Sequence, residues 1–284
     1  MTVVAPGRTS TAQRVLEVRN LAVSIRTPEG TVRPVRGIDL DLDEGEVVGI
    51  VGESGCGKST TVKGILKLLG PNSTVTADRI ELAGHGDLTT TSAKEMRHVR
   101  GRQIGFVAQN PFGSLNPIYS IERQFYELQK AHRTGLGKAQ SREVARGMLE
   151  GVGIVSPDRV LDGYAHQLSG GMAQRVVIAL ATTLSPRILV ADEPTTGLDA
   201  TVQAQILDLI SGLVKSEDRS MLLVTHDLGV IAQYCQRVIV MYDGEVVESG
   251  PVMDVMVSPQ HDYTKLLLGS VRHPGGRVDV ARRG

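Results

Sequence analysis

Nine consecutive residues carry the strongest chemical signal in this 284-residue sequence. They fit the pattern G-x-x-x-x-G-K-S/T, in which bare backbone N–H groups and one lysine surround a phosphate. An apolar run at 47–51 predicts a buried strand before them, and 61–69 predicts a helix after them. Lys58 is expected to reach the β- and γ-phosphates, and the Ser59 hydroxyl to bind Mg²⁺. The predicted nucleotide-binding residues are Gly52, Glu53, Ser54, Gly55, Cys56, Gly57, Lys58, Ser59 and Thr60.

A second group of candidate residues follows a strand predicted over 187–191. Asp192 and Glu193 come directly after it, and two carboxylates at the end of a buried strand are unfavourable unless a cation or hydrogen bonds compensate. Beside a phosphate-binding loop, Asp192 is expected to hold Mg²⁺, and Glu193 to orient and deprotonate the attacking water. The alternative is an acidic cap at the start of a helix.

A third segment, 168–175, begins a helix with small residues. Ser169 is a good N-cap, and Gly170 and Gly171 leave the backbone N–H groups uncovered, so this turn can receive a phosphate. An ordinary helix start with permissive glycines remains the alternative.

Composition excludes several classes of function. Net charge is zero, aromatic residues make up 3% of the chain and tryptophan is absent, so nothing favours a nucleic-acid partner. No apolar run reaches the length of a membrane span, and the N-terminus lacks the apolar core of a signal peptide. Cys56 and Cys235 are most simply free thiols in a reducing compartment. We therefore expect a cytosolic protein, and composition leaves docking on a membrane protein open.

The remaining pattern predicts an α/β fold. Alternating apolar residues predict antiparallel strands within 15–27, 31–35 and 38–42, ahead of the phosphate-binding loop. From about residue 174 strands and helices alternate, which implies a parallel sheet with the phosphate site at its carboxyl ends. A mostly helical stretch over about 111–166 interrupts this alternation, and we interpret it as an inserted subdomain.

Taken in their order along the chain, these motifs resemble those of an ATP-binding subunit of an ABC transporter, over about residues 16–249. The second and third segments resemble that family's Walker B strand and signature motif. Gln109 resembles its Q-loop glutamine, Leu198–Asp199 its D-loop, and His226 its switch histidine. From the residues alone, Gln109 could cap a loop, Asp199 a helix and His226 a strand end.

The resemblance implies a P-loop NTPase (RecA-like) core with an N-terminal antiparallel β subdomain and the inserted helical subdomain at about 111–166. The implied domains are a flexible tail at 1–13, an ABC nucleotide-binding domain at 14–250, and short C-terminal helices with a tail at 251–284.

The resemblance also implies an ATPase that uses ATP and Mg²⁺ within a dimer of ATPase subunits, either two copies of this chain or a pair of related chains. The implied catalytic residues are Lys58, Gln109, Glu193 and His226. The implied Mg²⁺ ligands are Ser59, Gln109 and Asp192. The residues implied to contact the nucleotide of the partner subunit are Ser169, Gly170, Gly171 and Asp199.

Two further segments narrow the resemblance. Residues 110–117 and 261–264 are similar to motifs of the oligopeptide, dipeptide and nickel importer group, with Asp262 where proline is usual. We expect an ATPase that powers import of di- or oligopeptides from the cytoplasmic face of the plasma membrane. Its partners would be membrane permease subunits and, indirectly, an extracytoplasmic substrate-binding protein. The alternatives are an importer of nickel or another small solute, or a soluble ABC ATPase without a transport role.

The sequence departs from the family in two places. Members usually stack adenine on an aromatic residue near the end of the first strands, where this chain has Ile25 followed by Arg26. Longer members of the peptide group carry a cysteine-bearing C-terminal extension. Because no cysteine follows Cys235, no iron–sulfur cluster is expected.

Ile25 yields a first prediction. Without an aromatic ring, discrimination between bases is expected to be weak, because base stacking is worth roughly 1–3 kcal/mol. Ile25→Tyr should therefore raise the affinity for ATP, and the dissociation constants of ATP and GTP are measured for both proteins. Strong preference for ATP in the unaltered protein, unchanged by the substitution, would contradict this.

Overall fold

The computed structural model describes residues 13–272 and divides into two compact units. Among the described residues, one unit combines 13–89 with 223–272, and the other comprises 90–222. The predicted N-terminal tail lies, except for Gln13, outside the described residues, as does the last part of the predicted C-terminal tail. None of the helices in the described part of the chain is long and apolar enough to span a membrane.

The elements follow one another with short connections. The strands are β1 (Arg14–Thr27), β2 (Gly30–Asp43), β3 (Val47–Val51), β4 (Ser73–Thr76), β5 (Arg79–Leu82), β6 (Gly86–Asp87), β7 (Ile104–Val107), β8 (Ile188–Asp192), β9 (Ser220–Val224), β10 (Arg237–Tyr242) and β11 (Glu245–Pro251). The helices are α1 (Lys58–Ile65), α2 (Ala93–Arg102), α3 (Pro111–Ser114), α4 (Ile121–Ala131), α5 (Lys138–Gly151), α6 (Pro157–Asp162), α7 (Gly170–Thr182), α8 (Ala200–Ser216), α9 (Leu228–Tyr234), α10 (Val252–Val257) and α11 (Asp262–Arg272), with a 3-10 turn at Ala165–Gln167.

The first unit opens with a long antiparallel hairpin, β1 with β2, and β1 also pairs with β4 and β5. The sequence predicted separate short strands at 31–35 and 38–42, which is wrong, because β2 runs through both. An irregularity in the pairing of β1 with β2 lets β2 continue through residues 36 and 37 without a break. Asn20 has a φ of +52° and its N–H donates to Asp39 Oδ1 at 2.8 Å, while Gly37 opposite has a φ of +82°.

A second sheet in this unit contains β3, β10 and β11. β10 lies parallel to β3 and antiparallel to β11. All five residues of β3 are buried, as predicted from its apolar run. Side chains of α9, α10 and α11 pack with Val51, Val238 and Val240 in one apolar cluster. Burial of each such side chain contributes roughly 1.5–3 kcal/mol, so this cluster holds the C-terminal helices against the strand that enters the phosphate-binding loop.

In the second unit, β7 and β8 are parallel neighbours, with Val107 opposite Ala191. Helix α7 approaches β7 closely at Gly105, where a Cβ atom would lie 2.4 Å from the Ala181 carbonyl oxygen. The helices α3 to α6 and the 3-10 turn occupy residues 111–167, where the sequence predicted a helical stretch. Phe125 of α4 is fully buried.

The helix after the phosphate-binding loop begins and ends earlier than predicted. It runs from Lys58 to Ile65 instead of 61–69. Lys67 takes the left-handed conformation (φ +49°) and the N–H of Leu68 donates to the Lys63 carbonyl at 2.8 Å, which closes the helix before Gly70. Near the C-terminus, the last helix, α11, continues to Arg272.

Arg142 of α5 joins three helices in the second unit. Its guanidinium lies 2.7 Å from a Glu122 oxygen on α4, and 3.0 and 2.7 Å from oxygens of Asp158 and Asp162 on α6. Hydrogen bonding to Asp162, with smaller effects of the other two carboxylates, raises the pKa of the guanidinium above its ordinary value. Arg142 therefore stabilises the packing of α4, α5 and α6.

We expect Arg142→Met to lower the free energy of unfolding by about 1–2 kcal/mol, as the sum of three partly exposed ion pairs. Thermal unfolding followed by circular dichroism measures this. Arg146→Met is the matched control, because Arg146 pairs only with Glu143 and Glu150 of its own helix among the described residues. The difference between the two variants should shrink in high salt, and equal effects would contradict the assignment.

Candidate functional site

The phosphate-binding loop depends on glycines that lie against neighbouring backbone. A Cβ at Gly52 would lie 2.2 Å from the Met241 carbonyl oxygen, and one at Gly57 would lie 2.1 Å from that of Pro34. Gly57 has a φ of +103° and Gly55 one of +86°, with open space around the Gly55 Cα. The loop is thus fixed at both ends, while its middle exposes bare backbone.

Lys58 lies inside this loop. Its side chain is buried, and its Nζ donates to the carbonyl oxygens of Gly52 at 2.7 Å and Glu53 at 2.9 Å. An ammonium group has three N–H donors, so one remains for a further acceptor. Gly57, at the N-cap of α1, has no side chain to cover the first turn, which leaves that helix end suited to an anion.

The thiol of Cys56 has no evident catalytic or binding role. It is buried beside Gly52, and desolvation raises the pKa of its thiol. Because the reactive form of cysteine is the thiolate, this residue is expected to be unreactive.

His226 lies in the same unit as the loop. The Thr225 N–H donates to the Ile50 carbonyl at 3.1 Å, so the end of β9 lies beside β3, the strand that enters the loop. Asp227 caps α9 by accepting from the N–H of Gly229 at 2.7 Å. His226 stands between these two residues and is exposed, so the local capping is done by its neighbour and not by the histidine.

In the second unit, the carboxyl ends of β7 and β8 bring Gln109 and Glu193 together. Gln109 Nε2 donates to Glu193 Oε2 at 3.0 Å, and the Thr196 hydroxyl donates to the same oxygen at 2.9 Å. Asp192, the last residue of β8, is fully buried. Glu193 has a φ of +46°, a conformation that non-glycine residues rarely adopt and that recurs at functional sites.

The N-termini of α7 and α8 lie side by side in this unit. Ser169 caps α7 by accepting from the Met172 N–H at 3.3 Å, and Asp199 caps α8 by accepting from the Val202 N–H at 3.1 Å. A Cβ at Gly171 would lie 2.9 Å from the Val202 side chain, so the close approach of the helices requires this glycine. The alternative role of Asp199 as a helix cap is therefore present in the structure.

The predicted residues fall into two groups, one in each unit. Two residues that hydrogen-bond to predicted site residues, Thr196 and Tyr263, were not themselves predicted. Thr196 carries a weak sequence signal, because it follows Glu193 by three residues and the two are joined in one turn. Tyr263 has no such local signal in the sequence. Its hydroxyl accepts from the Glu53 N–H at 2.9 Å, and 210 positions separate the two residues.

Comparisons with known proteins identify the family of this chain. Residues 35–196 match the ABC transporter family model. The chain is 49% identical over 259 residues to the dipeptide transport ATP-binding protein DppD of Bacillus subtilis, covering 91% of this chain and 77% of that protein. It is 46% identical over 259 residues to the oligopeptide transport ATP-binding protein OppD of the same organism, covering 91% and 72%.

Solved structures give the same result. The bacterial ABC transporter cassette MJ0796, solved as a dimer, is 28% identical, with a TM-score of 0.73 over 84% of this chain and 98% of that one. The same cassette is known in a post-hydrolysis dimer with ADP and Pi. The predicted P-loop NTPase fold is thereby confirmed, and the chain belongs to the ABC transporter family.

Proposed function

We propose that this chain is the ATP-hydrolysing subunit that powers an importer of di- or oligopeptides. The observation that carries hydrolysis is the placement of Glu193 directly after a buried aspartate, with its carboxylate held by Gln109 and Thr196. The peptide cargo is supported by the extended identity to dipeptide and oligopeptide transport proteins.

The residues of this site fit a nucleoside triphosphate. The loop 52–60 would hold its phosphates through backbone N–H groups, the uncapped start of α1 and the remaining donor of Lys58. Charge-assisted hydrogen bonds from buried donors are the strong ones, and Lys58 is 4% exposed.

The donor set also fits Mg²⁺, which prefers hydroxyl, carboxylate and amide oxygens. Ser59, Asp192 and Gln109 would hold the ion. Because the Gln109 amide nitrogen donates to Glu193, its amide oxygen points away from that carboxylate and suits a cation. When bound, Mg²⁺ neutralises charge on the phosphate oxygens.

Glu193 would act as the general base. Its carboxylate accepts a proton from the attacking water, and the two donors on Oε2 keep the group in one orientation. His226, exposed at the end of β9, would contact the γ-phosphate side of the site and keep the water in line. Catalysis then rests on positioning and electrostatics, as is general for phosphoryl transfer.

The signature turn would serve the nucleotide of a second ATPase subunit. Ser169, Gly170, Gly171 and Asp199 lie at two adjacent helix N-termini, which favour a negatively charged ligand. The existence of MJ0796 as a dimer supports this arrangement. ATP closes such a dimer, and hydrolysis removes the γ-phosphate bridge and opens it.

Membrane permease subunits would bind the helical subdomain within the nucleotide-binding domain at 14–250. Phe112 is 45% exposed and Ile118 is 79% exposed, so this segment offers apolar area to a partner. The chain would thus act as a peripheral subunit at the cytoplasmic face of the plasma membrane, linked to a substrate-binding protein only through the permease.

Glu193→Gln should abolish turnover and retain ATP binding, because the amide keeps the shape of the side chain and loses the base. We expect kcat to fall by about 10²–10⁴-fold. Glu150→Gln, an exposed change on α5, is the control and should keep full activity.

The mass of Glu193→Gln by light scattering, with and without ATP and Mg²⁺, reports whether the chain assembles with a second copy. A doubled mass indicates self-pairing, while a monomer with ATP bound indicates a related second subunit. Wild-type turnover in Glu193→Gln would contradict the base assignment.

Cargo is tested by deleting the chromosomal copy of this chain. We expect loss of growth on di- and oligopeptides as the amino-acid source, with normal growth on free amino acids. The wild-type chain should restore growth and Glu193→Gln should not. A growth defect that nickel salts repair, with unchanged peptide use, would contradict the peptide proposal.

A further inference from the structure

The peptide group between Gly52 and Glu53 is hydrogen-bonded at both of its polar atoms. Its carbonyl oxygen accepts from Lys58 Nζ at 2.7 Å, and its N–H donates to the Tyr263 hydroxyl at 2.9 Å. A trans peptide group is planar, with the C=O and N–H directed to opposite sides. A partner that fixes the direction of the N–H therefore also fixes the direction of the carbonyl oxygen.

Tyr263 is itself held firmly. Its side chain is buried in the apolar cluster with Val51, Val240 and Val255, and its ring centroid lies 4.3 Å from that of Tyr242. Burial raises the pKa of Tyr263 to about 12, so its hydroxyl stays neutral at physiological pH. The hydroxyl is thus a fixed acceptor beside the loop.

The helix that carries Tyr263 is anchored through the two residues that precede it. The Glu248 carboxylate of β11 accepts from the N–H groups of Gln260 at 2.8 Å and His261 at 3.1 Å. Asp262 is the first residue of α11, a position that suits proline and acidic residues alike. Substitution of the usual proline by Asp262 therefore leaves the start of this helix intact.

We propose that Tyr263 is a positioning residue for Lys58. Its hydroxyl orients the Gly52–Glu53 peptide so that the Gly52 carbonyl holds the Lys58 ammonium within the phosphate-binding loop. Helix α11 thereby contributes to nucleotide affinity without touching the nucleotide. This inference rests on the proposed role of Lys58 in phosphate binding.

The structure also indicates how loss of the hydroxyl would act. Glu53 is exposed, so water can reach its N–H once the phenol oxygen is gone. The peptide group then keeps its bond from Lys58 but loses the contact that directs its N–H, so the expected effect is on orientation of the lysine, more than on folding.

Tyr263→Phe tests the proposal in the full-length protein, because it keeps the ring and removes only the hydroxyl. The dissociation constant for a fluorescent ATP analogue and the KM for ATP should rise about 3–10-fold, as for loss of one hydrogen bond, with kcat unchanged. Tyr242→Phe is the matched control. Its hydroxyl has no hydrogen-bond partner among the described residues, so affinity should match that of the unaltered protein. The thermal midpoints of the two variants without nucleotide should agree.

Unchanged affinity in Tyr263→Phe, or an equal change in both phenylalanine variants, overturns the proposal. If Tyr263→Phe does not fold, Glu248→Gln decides instead, since it loosens the anchor of α11 and leaves the tyrosine in place. Unchanged affinity in that variant overturns the proposal too. Failure of the nucleotide site itself would look different, because the unaltered protein and Lys58→Ala would then bind the analogue equally.

Discussion

The phosphate-binding loop depends on the absence of two side chains. Gly52 and Gly57 lie so close to the carbonyl oxygens of Met241 and Pro34 that any Cβ atom would collide with backbone, which cannot move aside. These contacts hold the loop between β10 and β2, and the buried Lys58 ammonium donates to two carbonyls of the loop. A preformed loop of this kind binds phosphate without first losing conformational entropy.

The acidic end of β8 shows how a strained conformation is kept at a functional position. A non-glycine residue in the left-handed region costs about 1–3 kcal/mol. Glu193 is held there by hydrogen bonds to its carboxylate from Gln109 and Thr196. Asp192 is fully buried and Glu193 is half-buried, so two adjacent carboxylates have different surroundings and can take different roles. Such a local conflict between propensity and structure is expected where function, not stability, decides the residue.

Local sequence rules worked where the chain's neighbours in sequence are also its neighbours in space. The strand at 47–51, the helical stretch after residue 111 and the caps Ser169 and Asp199 are present as expected. The rules failed where a distant contact or an uncommon backbone conformation intervened. Lys67 ended α1 early by adopting a conformation usually reserved for glycine, and bulges at Asn20 and Gly37 joined two predicted strands into one.

The sequence alone determined the family, the P-loop NTPase fold and the candidate chemistry, because phosphate and Mg²⁺ binding demand particular residues at fixed short spacings. These expectations of family and fold are confirmed by the comparisons. Only the tertiary structure decided which distant groups support those residues. Nothing near Glu53 in the sequence reveals that Tyr263, 210 residues later, accepts its N–H. That contact arises from the burial of α11 in an apolar cluster, and packing of this kind depends on the whole chain at once.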